Sequence, residues 1–288
     1  MNSTNRQLLI TNYQLGLIGY PLGHSLSPKI HTAALKACEL EGDYSLFPIA
    51  PEDKQGLKDL LARVRAGEVH GLNVTIPHKQ NVIGFMDELT QTAKSIGAVN
   101  TIYMRDDKLI GDNTDAPGFL SDLKRVSNSS FIIPHSALVL GAGGSARAVV
   151  YALLNDGWNV TIAARRIEQA QKLADSFTNY QLPITNLADF PLSNFHLLVN
   201  TTPLGMTPNT ETSPLPENMA LSKNAFVYDL VYNPRETKLV RDARAQGLNA
   251  STGLGMLIEQ AALAFEKWTG HNPPRDVLFE SVGATRPD

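Results

Sequence analysis

Cysteine is nearly absent from this sequence, since Cys38 is the only one among 288 residues. A single cysteine excludes an internal disulfide bond and any zinc site built from several thiolates. The seven histidines include no His-x-x-x-His pair. The residue pattern therefore predicts a protein without a metal site.

Long apolar runs and a surplus of basic residues are lacking too. No stretch approaches the ~18 apolar residues that a membrane-spanning helix needs. The apolar run at 8–10 is too short for the core of a secretory signal. The 25 basic and 28 acidic residues give a net charge of −3, which argues against binding to nucleic acids. We therefore expect a soluble, cytoplasmic protein with neither membrane nor nucleic-acid partners.

The length fits two domains of ~150 residues, and 43% hydrophobic residues are enough for packed cores. Short β-type runs alternate with helical stretches, which is typical of α/β folds with crossover helices. Strands are predicted at 15–19, 44–49, 71–76, 98–104, 108–111, 137–140, 159–163, 197–199 and 226–230. Helices are predicted near Pro28, over 52–66, from Pro117, and over 145–155 and 254–268. The segment 127–130 (SNSS) is the best linker candidate, because nothing in it can pack.

A glycine-rich turn follows the strand at 137–140 and opens the next helix. It reads GAGGSA over 141–146, which matches the G-x-G-x-x-A pattern of dinucleotide-binding folds. The glycines permit close approach of the backbone to a pyrophosphate, and the helix N-terminus offers free N–H groups. An ordinary glycine-rich turn is the alternative, but the strand–turn–helix context favours a cofactor site.

The residues after the next strand bear on the choice of cofactor. A site selective for NAD usually has an acidic residue ~20 residues after the glycines, where it binds the ribose 2′-hydroxyl. Here Ala164, Arg165 and Arg166 follow the strand instead. A solvated basic pair is common, but two guanidiniums at this position suit a 2′-phosphate. The sequence therefore favours NADP.

The segment 71–79 (GLNVTIPHK) is the most informative part of the first half. Alternation puts Asn73 and Thr75 on one face of the strand, and Leu72, Val74 and Ile76 on the other. Pro77 stops the strand and leaves Lys79 at the carboxyl edge of the sheet, where open α/β sheets bind ligands. A lysine held there can move a proton, although a surface lysine is the more ordinary interpretation.

Two further polar clusters each allow two interpretations. Ser25 and Ser27 come just before a predicted helix, so Ser27 suits an N-cap, while a pair of hydroxyls there also suits a substrate carboxylate. The cluster 112–115 (DNTD) either caps the following helix or supplies, through Asp115, a carboxylate that holds Lys79. Sequence spacing does not show whether these two side chains meet.

Together the motifs resemble those of the shikimate/quinate dehydrogenase family, and of shikimate dehydrogenases in particular. The matching segments follow the family order from about residue 15 to 268, and their joint occurrence is far more specific than any one of them. They are SLSP (25–28), NVTIPHK (73–79), GAVNT (97–101), GDNTD (111–115), GAGG (141–144), NTTPLGM (200–206), YDLVY (228–232) and GLGML (253–257).

The resemblance implies an NADPH-dependent oxidoreductase that reduces 3-dehydroshikimate to shikimate, on the route to chorismate and the aromatic amino acids. It implies an α/β fold of two domains with the cleft between them. A substrate-binding and catalytic domain would comprise 1–116 plus 254–288, and a doubly wound Rossmann domain at 117–253 would bind NADP. The oligomeric state stays open, with a homodimer among the options.

The same resemblance assigns catalysis to Lys79 and Asp115. The substrate-binding residues that it implies are Ser25, Ser27, Thr75, Asn100, Asp115, Tyr232 and Gln260. The two serines and Tyr232 would hold the substrate carboxylate, and the others its ring hydroxyls. The cofactor-binding residues that it implies are Gly141, Ala142, Gly143, Gly144, Ser145, Ala164, Arg165, Arg166, Leu230, Gly253 and Met256, the last three of them near the nicotinamide.

One departure from the family lies at the 2′-phosphate position, where Asn-Arg-Thr is frequent and this sequence reads Ala-Arg-Arg. The central arginine is kept, so the expected NADP preference stands. The nearest alternative is a quinate/shikimate dehydrogenase that uses NAD, against which the missing acidic residue argues. A non-catalytic NADP-binding sensor is the other alternative, and the presence of both Lys79 and Asp115 argues against it.

Overall fold

The computed structural model of the chain describes residue 10 and residues 12–127, 135–186, 195–216 and 221–286. These residues form two six-stranded sheets with helices packed on them. The predicted α/β class and two-domain architecture are confirmed. Apart from Ser127, the linker predicted at 127–130 lies outside the described residues.

The first sheet has the strand order β2-β1-β3-β5-β6-β4. Strand β1 pairs in parallel with β2 and β3, and β5 pairs antiparallel with β3 and β6. Its strands are β1 (Tyr13–Gly19), β2 (Gly42–Pro48), β3 (Gly71–Val74), β4 (Glu88–Leu89), β5 (Thr101–Arg105) and β6 (Lys108–Asp112). The helices of this part are α1 (Ser27–Ala37), α2 (Lys54–Arg65) and α3 (Gln91–Ile96).

The second sheet is parallel throughout, with the order β12-β11-β10-β7-β8-β9. This is the doubly wound order of dinucleotide-binding folds, whose ligands bind where the winding reverses, here between β7 and β10. Its strands are β7 (Ser136–Leu140), β8 (Asn159–Ala163), β9 (Ile184–Thr185), β10 (Leu197–Asn200), β11 (Phe226–Asp229) and β12 (Asn249–Thr252). The helices preceding or linking these strands are α4 (Asp115–Val126), α5 (Gly144–Asn155), α6 (Ile167–Asp175) and α7 (Lys238–Ala245).

The last two helices, α8 (Leu254–Thr269) and α9 (Arg275–Ser281), return to the first sheet. Helix α8 packs on α1, α9 and β5, and it also lies along α4. Trp268 anchors its end, because the indole Nε1 donates to the carbonyl of Ile102 at 3.2 Å and the ring covers Gly71. None of the helices in the described ranges is long and apolar enough to cross a membrane.

Three local expectations need correction. The strand predicted to reach Ile76 ends at Val74, and Ile76 is 53% exposed because it lies in the turn before Pro77. Pro117 is the third residue of α4 rather than the first, since Asn113 starts that helix earlier. The N-cap interpretation of Ser27 is wrong, because Ser27 is already the first residue of α1 and no side chain caps it.

Candidate active site

Lys79 and Asp115 meet although 36 residues separate them in the sequence. Lys79 lies in the turn after β3, where its carbonyl accepts from Val99 N at 2.7 Å. Asp115 is the first residue of α4. The Lys79 Nζ donates to Asp115 Oδ2 at 2.6 Å, and the two side chains are only 11% and 6% exposed. A lysine and a carboxylate thus form an enclosed ion pair beyond the carboxyl end of β3, an inner strand of the first sheet.

The start of α4 explains why Asp115 is available to the lysine. Asn113 supplies the capping interaction, since its Oδ1 accepts from Asp115 N at 3.1 Å and Ala116 N at 3.3 Å. Its Nδ2 donates to the carbonyl of Ala98 at 3.0 Å, which ties the helix start to the first sheet. Segment 112–115 therefore both caps the helix, through Asn113, and holds Lys79, through Asp115.

Asn100 holds the second oxygen of the same carboxylate. Its Nδ2 donates to Asp115 Oδ1 at 2.8 Å and lies 3.3 Å from Gln260 Oε1. Its Oδ1 accepts from Thr114 N at 2.7 Å and from the Thr101 hydroxyl at 2.9 Å. Because both ends of the amide are engaged, its orientation is set and the Asp115 carboxylate is held between two donors.

The hydroxyls expected at a substrate carboxylate gather at the start of α1. The Ser25 hydroxyl accepts from Ser27 N at 3.2 Å, which leaves its own hydrogen for a ligand. Tyr232 comes from the loop after β11 and packs against the apolar core of the first sheet, and burial raises its pKa. The second sheet thus contributes one hydroxyl to a group that otherwise belongs to the first.

Asn73 and Tyr44 belong to the site although the sequence analysis assigned neither to it. The Tyr44 hydroxyl donates to Asn73 Oδ1 at 2.8 Å, and Asn73 Nδ2 lies 3.5 Å from the carbonyl of Asn100. Alternation had placed Asn73 on the face of Thr75, which follows β3 and lies against Gly19. Nothing in the local pattern pointed to Tyr44, because β2 meets β3 only across β1.

The glycine-rich turn ends against Lys79. Gly141 has a φ of +111°, and a side chain there would meet the Thr201 hydroxyl at 2.6 Å. Gly143 faces open space, and Gly144 begins α5. A Cβ on Gly144 would lie 3.3 Å from Lys79 Cβ. The helix N-terminus that suits a pyrophosphate is therefore adjacent to the lysine.

The residues proposed for the 2′-phosphate lie between β8 and α6, the strand and helix that follow the glycine-rich turn and α5 in the second sheet. Ala164 follows β8 and is buried, whereas Arg165 and Arg166 are exposed at the start of α6. Two exposed guanidiniums beside an open helix N-terminus fit a dinucleotide that carries an additional phosphate. Ala142 packs against the apolar core of the second sheet, and Ser145 is the second residue of α5.

The residues expected at the nicotinamide are brought together by a close backbone approach. Gly253 has room for no side chain, since a Cβ would lie 2.3 Å from the carbonyl oxygen of Leu230. Met256 follows on the first turn of α8 and is 7% exposed. Leu230 N donates to the Asn200 carbonyl at 2.9 Å, which ties its loop to β10. Their positions suit one wall of the cleft.

The loop that carries Leu230 is anchored by a buried carboxylate. Asp229 accepts from Asn200 Nδ2 at 2.8 Å, the Thr237 hydroxyl at 2.6 Å and Val231 N at 3.1 Å. Burial raises the pKa of Asp229 to about 6, and these hydrogen bonds oppose the shift. The sequence analysis included the segment around Asp229 in the resemblance but gave this residue no function.

Family models match most of the chain. That of the shikimate dehydrogenase substrate binding domain matches residues 17–102. That of shikimate/quinate 5-dehydrogenase matches residues 127–239, and that of the shikimate 5′-dehydrogenase C-terminal domain matches residues 253–278.

Individual relatives match over almost their whole length. Shikimate dehydrogenase (NADP(+)) of Carboxydothermus hydrogenoformans is 44% identical over 272 residues, which cover 93% of this chain and 95% of that protein. The structure of shikimate 5-dehydrogenase from Thermus thermophilus in complex with NADP(H) and shikimate has a TM-score of 0.83 at 38% identity, covering 93% of this chain and 98% of that one. Quinate dehydrogenase from Corynebacterium glutamicum in complex with NAD has a TM-score of 0.85 at 32% identity, covering 94% and 98%. This chain therefore belongs to the shikimate dehydrogenase family.

Proposed function

We propose that this chain catalyses the NADP-dependent interconversion of 3-dehydroshikimate and shikimate, in the biosynthesis of the aromatic amino acids. The observation that carries the proposal is the buried Lys79–Asp115 ion pair, which lies directly against the glycine-rich turn at Gly144. A proton-transferring pair and a dinucleotide-binding helix are thus adjacent, as a hydride transfer to a carbonyl group requires.

Substrate binding divides between two groups of side chains. Ser25, Ser27 and Tyr232 offer hydroxyl donors to a carboxylate. Asn100, Asp115 and Gln260, with Thr75 at the end of β3, offer donors and acceptors to ring hydroxyls. Asn73 connects the two groups, because it contacts the carbonyl of Asn100 and also Tyr44, which lies within reach of Ser27. A small ring with a carboxylate at one end and hydroxyls at the other suits this arrangement.

Held at the glycine-rich turn 141–145, NADPH would supply the hydride for the ring carbonyl carbon, and negative charge would then develop on the carbonyl oxygen. The Lys79 ammonium stabilises that charge and donates a proton to the oxygen, which gives the hydroxyl of shikimate. Asp115 holds the ammonium in place through Oδ2, while Asn100 holds the carboxylate through Oδ1. The reverse sequence returns the proton to Lys79 when shikimate is oxidised.

The cofactor is assigned to NADP because of Arg165 and Arg166. A relative that binds NAD, the quinate dehydrogenase described above, keeps an NAD-dependent quinate/shikimate dehydrogenase as the competing function. Two exposed guanidiniums where an acidic residue would select NAD support NADP instead. The cytoplasmic location, the homodimer and the domain bounds at 116/117 and 253/254 stay predictions.

The deciding experiment is a steady-state assay of shikimate oxidation with NADP+ and NAD+ side by side, repeated with quinate. We expect kcat/KM with NADP+ to exceed that with NAD+ at least ~100-fold, equivalent to ~3 kcal/mol from one or two charged contacts. Equal values, or a preference for quinate with NAD+, would favour the competing dehydrogenase. A protein that binds NADP+ but turns over neither substrate would be a sensor.

A further inference from the structure

A buried aromatic cluster of His31, Tyr44 and Trp268 lies behind the substrate site, and the proposed mechanism does not use it. His31 on α1 stacks on the Tyr44 ring with centroids 4.4 Å apart and planes 5° apart. The ring of Trp268, on α8, has its centroid 5.2 Å from that of His31, and the two planes are tilted by 42°. All three residues are buried, His31 completely. The Tyr44 ring therefore has little freedom to move.

The Tyr44 hydroxyl is the polar end of this cluster that reaches the site. It donates to Asn73 Oδ1 at 2.8 Å. The orientation of the Asn73 amide follows from its other neighbour, because the carbonyl of Asn100 accepts only and faces Nδ2 at 3.5 Å. The carbonyl of Asn100 thus takes one hydrogen of Nδ2, and the buried His31 ring is the other polar group beside this amide.

On its other side, the Tyr44 oxygen lies next to the side chains proposed to bind the substrate carboxylate. The Ser27 hydroxyl is within hydrogen-bonding reach of it, and Tyr232 is close enough to act on it electrostatically. Tyr44 therefore touches both groups of proposed substrate ligands, with Asn73 on one side and Ser27 on the other.

Tyr44 also keeps its proton over the whole physiological pH range. Burial raises its pKa well above 10, and the Ser27 hydrogen bond opposes that rise. Burial lowers the pKa of His31 to about 3, with the nearby Asn73 side chain opposing the shift, so a neutral ring stacks behind the phenol. Tyr44 thus remains a hydrogen-bond donor to Asn73.

We propose that Tyr44 is a substrate-positioning residue, which aims the Asn73 amide at a ring hydroxyl and supports Ser27 at the carboxylate. The inference rests on the proposed function, because it assumes a substrate that spans these two groups. A phenylalanine at this position would keep the stacking and lose both hydrogen bonds. Tyr44 therefore acts through substrate affinity and not through the hydride or proton transfer.

The test replaces the hydroxyl alone, with Tyr44→Phe. We expect KM for shikimate to rise ~10-fold, the equivalent of one hydrogen bond of ~1.4 kcal/mol. The kcat should stay within ~2-fold, and KM for NADP+ should not change, because the lost interactions act equally in the ground and transition states. Tyr103→Phe is the matched control, since Tyr103 is a buried tyrosine of β5 in the same sheet and should change none of these constants.

A double-mutant cycle separates positioning from general loosening of the sheet. If Tyr44 acts through Asn73, adding Tyr44→Phe to Asn73→Ala should raise KM by no more than ~2-fold further. If the two single effects on KM multiply in full in the double mutant, the inference is overturned. An unchanged KM in Tyr44→Phe would overturn it as well. Wild-type protein that is folded but does not oxidise shikimate would refute the proposed function instead.

Circular dichroism and thermal melting establish that each variant is folded. Should Tyr44→Phe not fold, Asn73→Asp tests the same contact from its other end. A carboxylate still accepts from Tyr44 but has no N–H for the substrate, so a similar rise in KM is expected. An unchanged KM in Asn73→Asp would equally overturn the inference.

Discussion

At the scale of single residues, the proposed mechanism gives Lys79 a benefit that is realised mainly in the transition state, where charge develops on the substrate oxygen. We expect Lys79→Met to lower kcat by ~10²–10⁴-fold, the usual range for a general acid–base group, with little change in KM for shikimate. Steady-state kinetics of a variant shown to be folded by circular dichroism checks this.

Asp115 is the natural partner for that measurement. Asp115→Asn should lower kcat as well and should also raise KM, because the carboxylate is expected to touch a ring hydroxyl. Combined with Lys79→Met, its effect should be much smaller than the product of the single effects, since the two side chains act as one unit. A folded Lys79→Met enzyme with normal turnover would remove the proposed mechanism.

A variant of Ser25 distinguishes substrate binding from helix capping at the start of α1. The Ser25 hydroxyl accepts a hydrogen bond from Ser27 N, as a capping side chain would. The residue at the N-cap position of α1, however, is Leu26. We expect Ser25→Ala to raise KM for shikimate several-fold, with a loss of no more than ~1 kcal/mol in the free energy of unfolding. Kinetics and chemical denaturation are measured on the same preparation. A large loss of stability with an unchanged KM would make Ser25 a structural residue.

At the scale of elements, a buried polar junction sets where α8 begins. Asp122 of α4 accepts from the Tyr228 hydroxyl of β11 and from Arg125 Nη2, both at 2.5 Å. Its carboxylate fills the space beside Gly255, where a Cβ would lie 1.9 Å from Oδ1. One carboxylate therefore joins α4, β11 and the first turn of α8, next to Met256.

This junction predicts that Gly255 tolerates no side chain. Gly255→Ala should reduce the free energy of unfolding by ~1–3 kcal/mol, the usual range for overpacking a filled site, and should raise KM for NADP+ because Met256 moves. Gly84→Ala is the matched control, since its Cβ would meet nothing within 4 Å. Denaturation curves of both variants decide the matter, and equal stability would contradict the described junction.

Asp229 makes the coupling between β10, β11 and α7 sensitive to pH. Its pKa of about 6 in the folded protein exceeds the ordinary value of 3.8, so the folded state binds this proton more tightly than the unfolded chain. The stability from Asp229 is therefore fully present below about pH 4 and is lost as the pH rises through 6.

The Asp229→Asn variant isolates this contribution. Between pH 4.5 and 6.5, the wild type should lose ~2 kcal/mol relative to Asp229→Asn, since one pKa unit corresponds to about 1.4 kcal/mol. Urea denaturation at the two pH values measures the difference. Parallel pH dependence of the two proteins would show that Asp229 does not titrate in this range.

At the scale of the whole molecule, cofactor binding should stabilise the fold in proportion to its affinity. A ligand at ~100 times its Kd adds ~2.7 kcal/mol to the free energy of unfolding. We expect NADP+ to raise Tm clearly more than NAD+ at the same concentration, because we assign Arg165 and Arg166 to the 2′-phosphate that only NADP+ carries. Arg165→Ala should remove most of that difference.

Lys172→Ala is the control for this measurement, because it removes an exposed cation from the same helix, α6, away from its N-terminus. Its melting profile with each cofactor should follow the wild type. If Arg165→Ala weakens the stabilisation by NADP+ and NAD+ equally, the assignment of the 2′-phosphate site to Arg165 is wrong.

Local pattern determined much of this fold. The strand predicted at 159–163 is β8 as observed, because five consecutive residues of β-type sequence end at clear boundaries. The apolar stripe of α2 is buried as its spacing predicts. The hairpin of β5 and β6 forms around Asp106 and Asp107, both with positive φ as tight hairpin turns require. The glycine-rich turn and its helix were likewise readable, because each depends on neighbouring residues.

Tertiary structure alone decided which of these elements meet. Residues of β4 and β9 form strands of two residues each, whose existence depends on the neighbour they pair with and not on their own pattern. Lys79 reaches Asp115, and Tyr44 reaches Asn73, through the strand order of the first sheet and the start of α4. Periodicity records which face of an element is apolar, whereas contacts between distant polar side chains arise only when whole sheets and helices have packed. The resemblance to a family implied that Lys79 and Asp115 act together, and only the folded chain brings them into an enclosed ion pair.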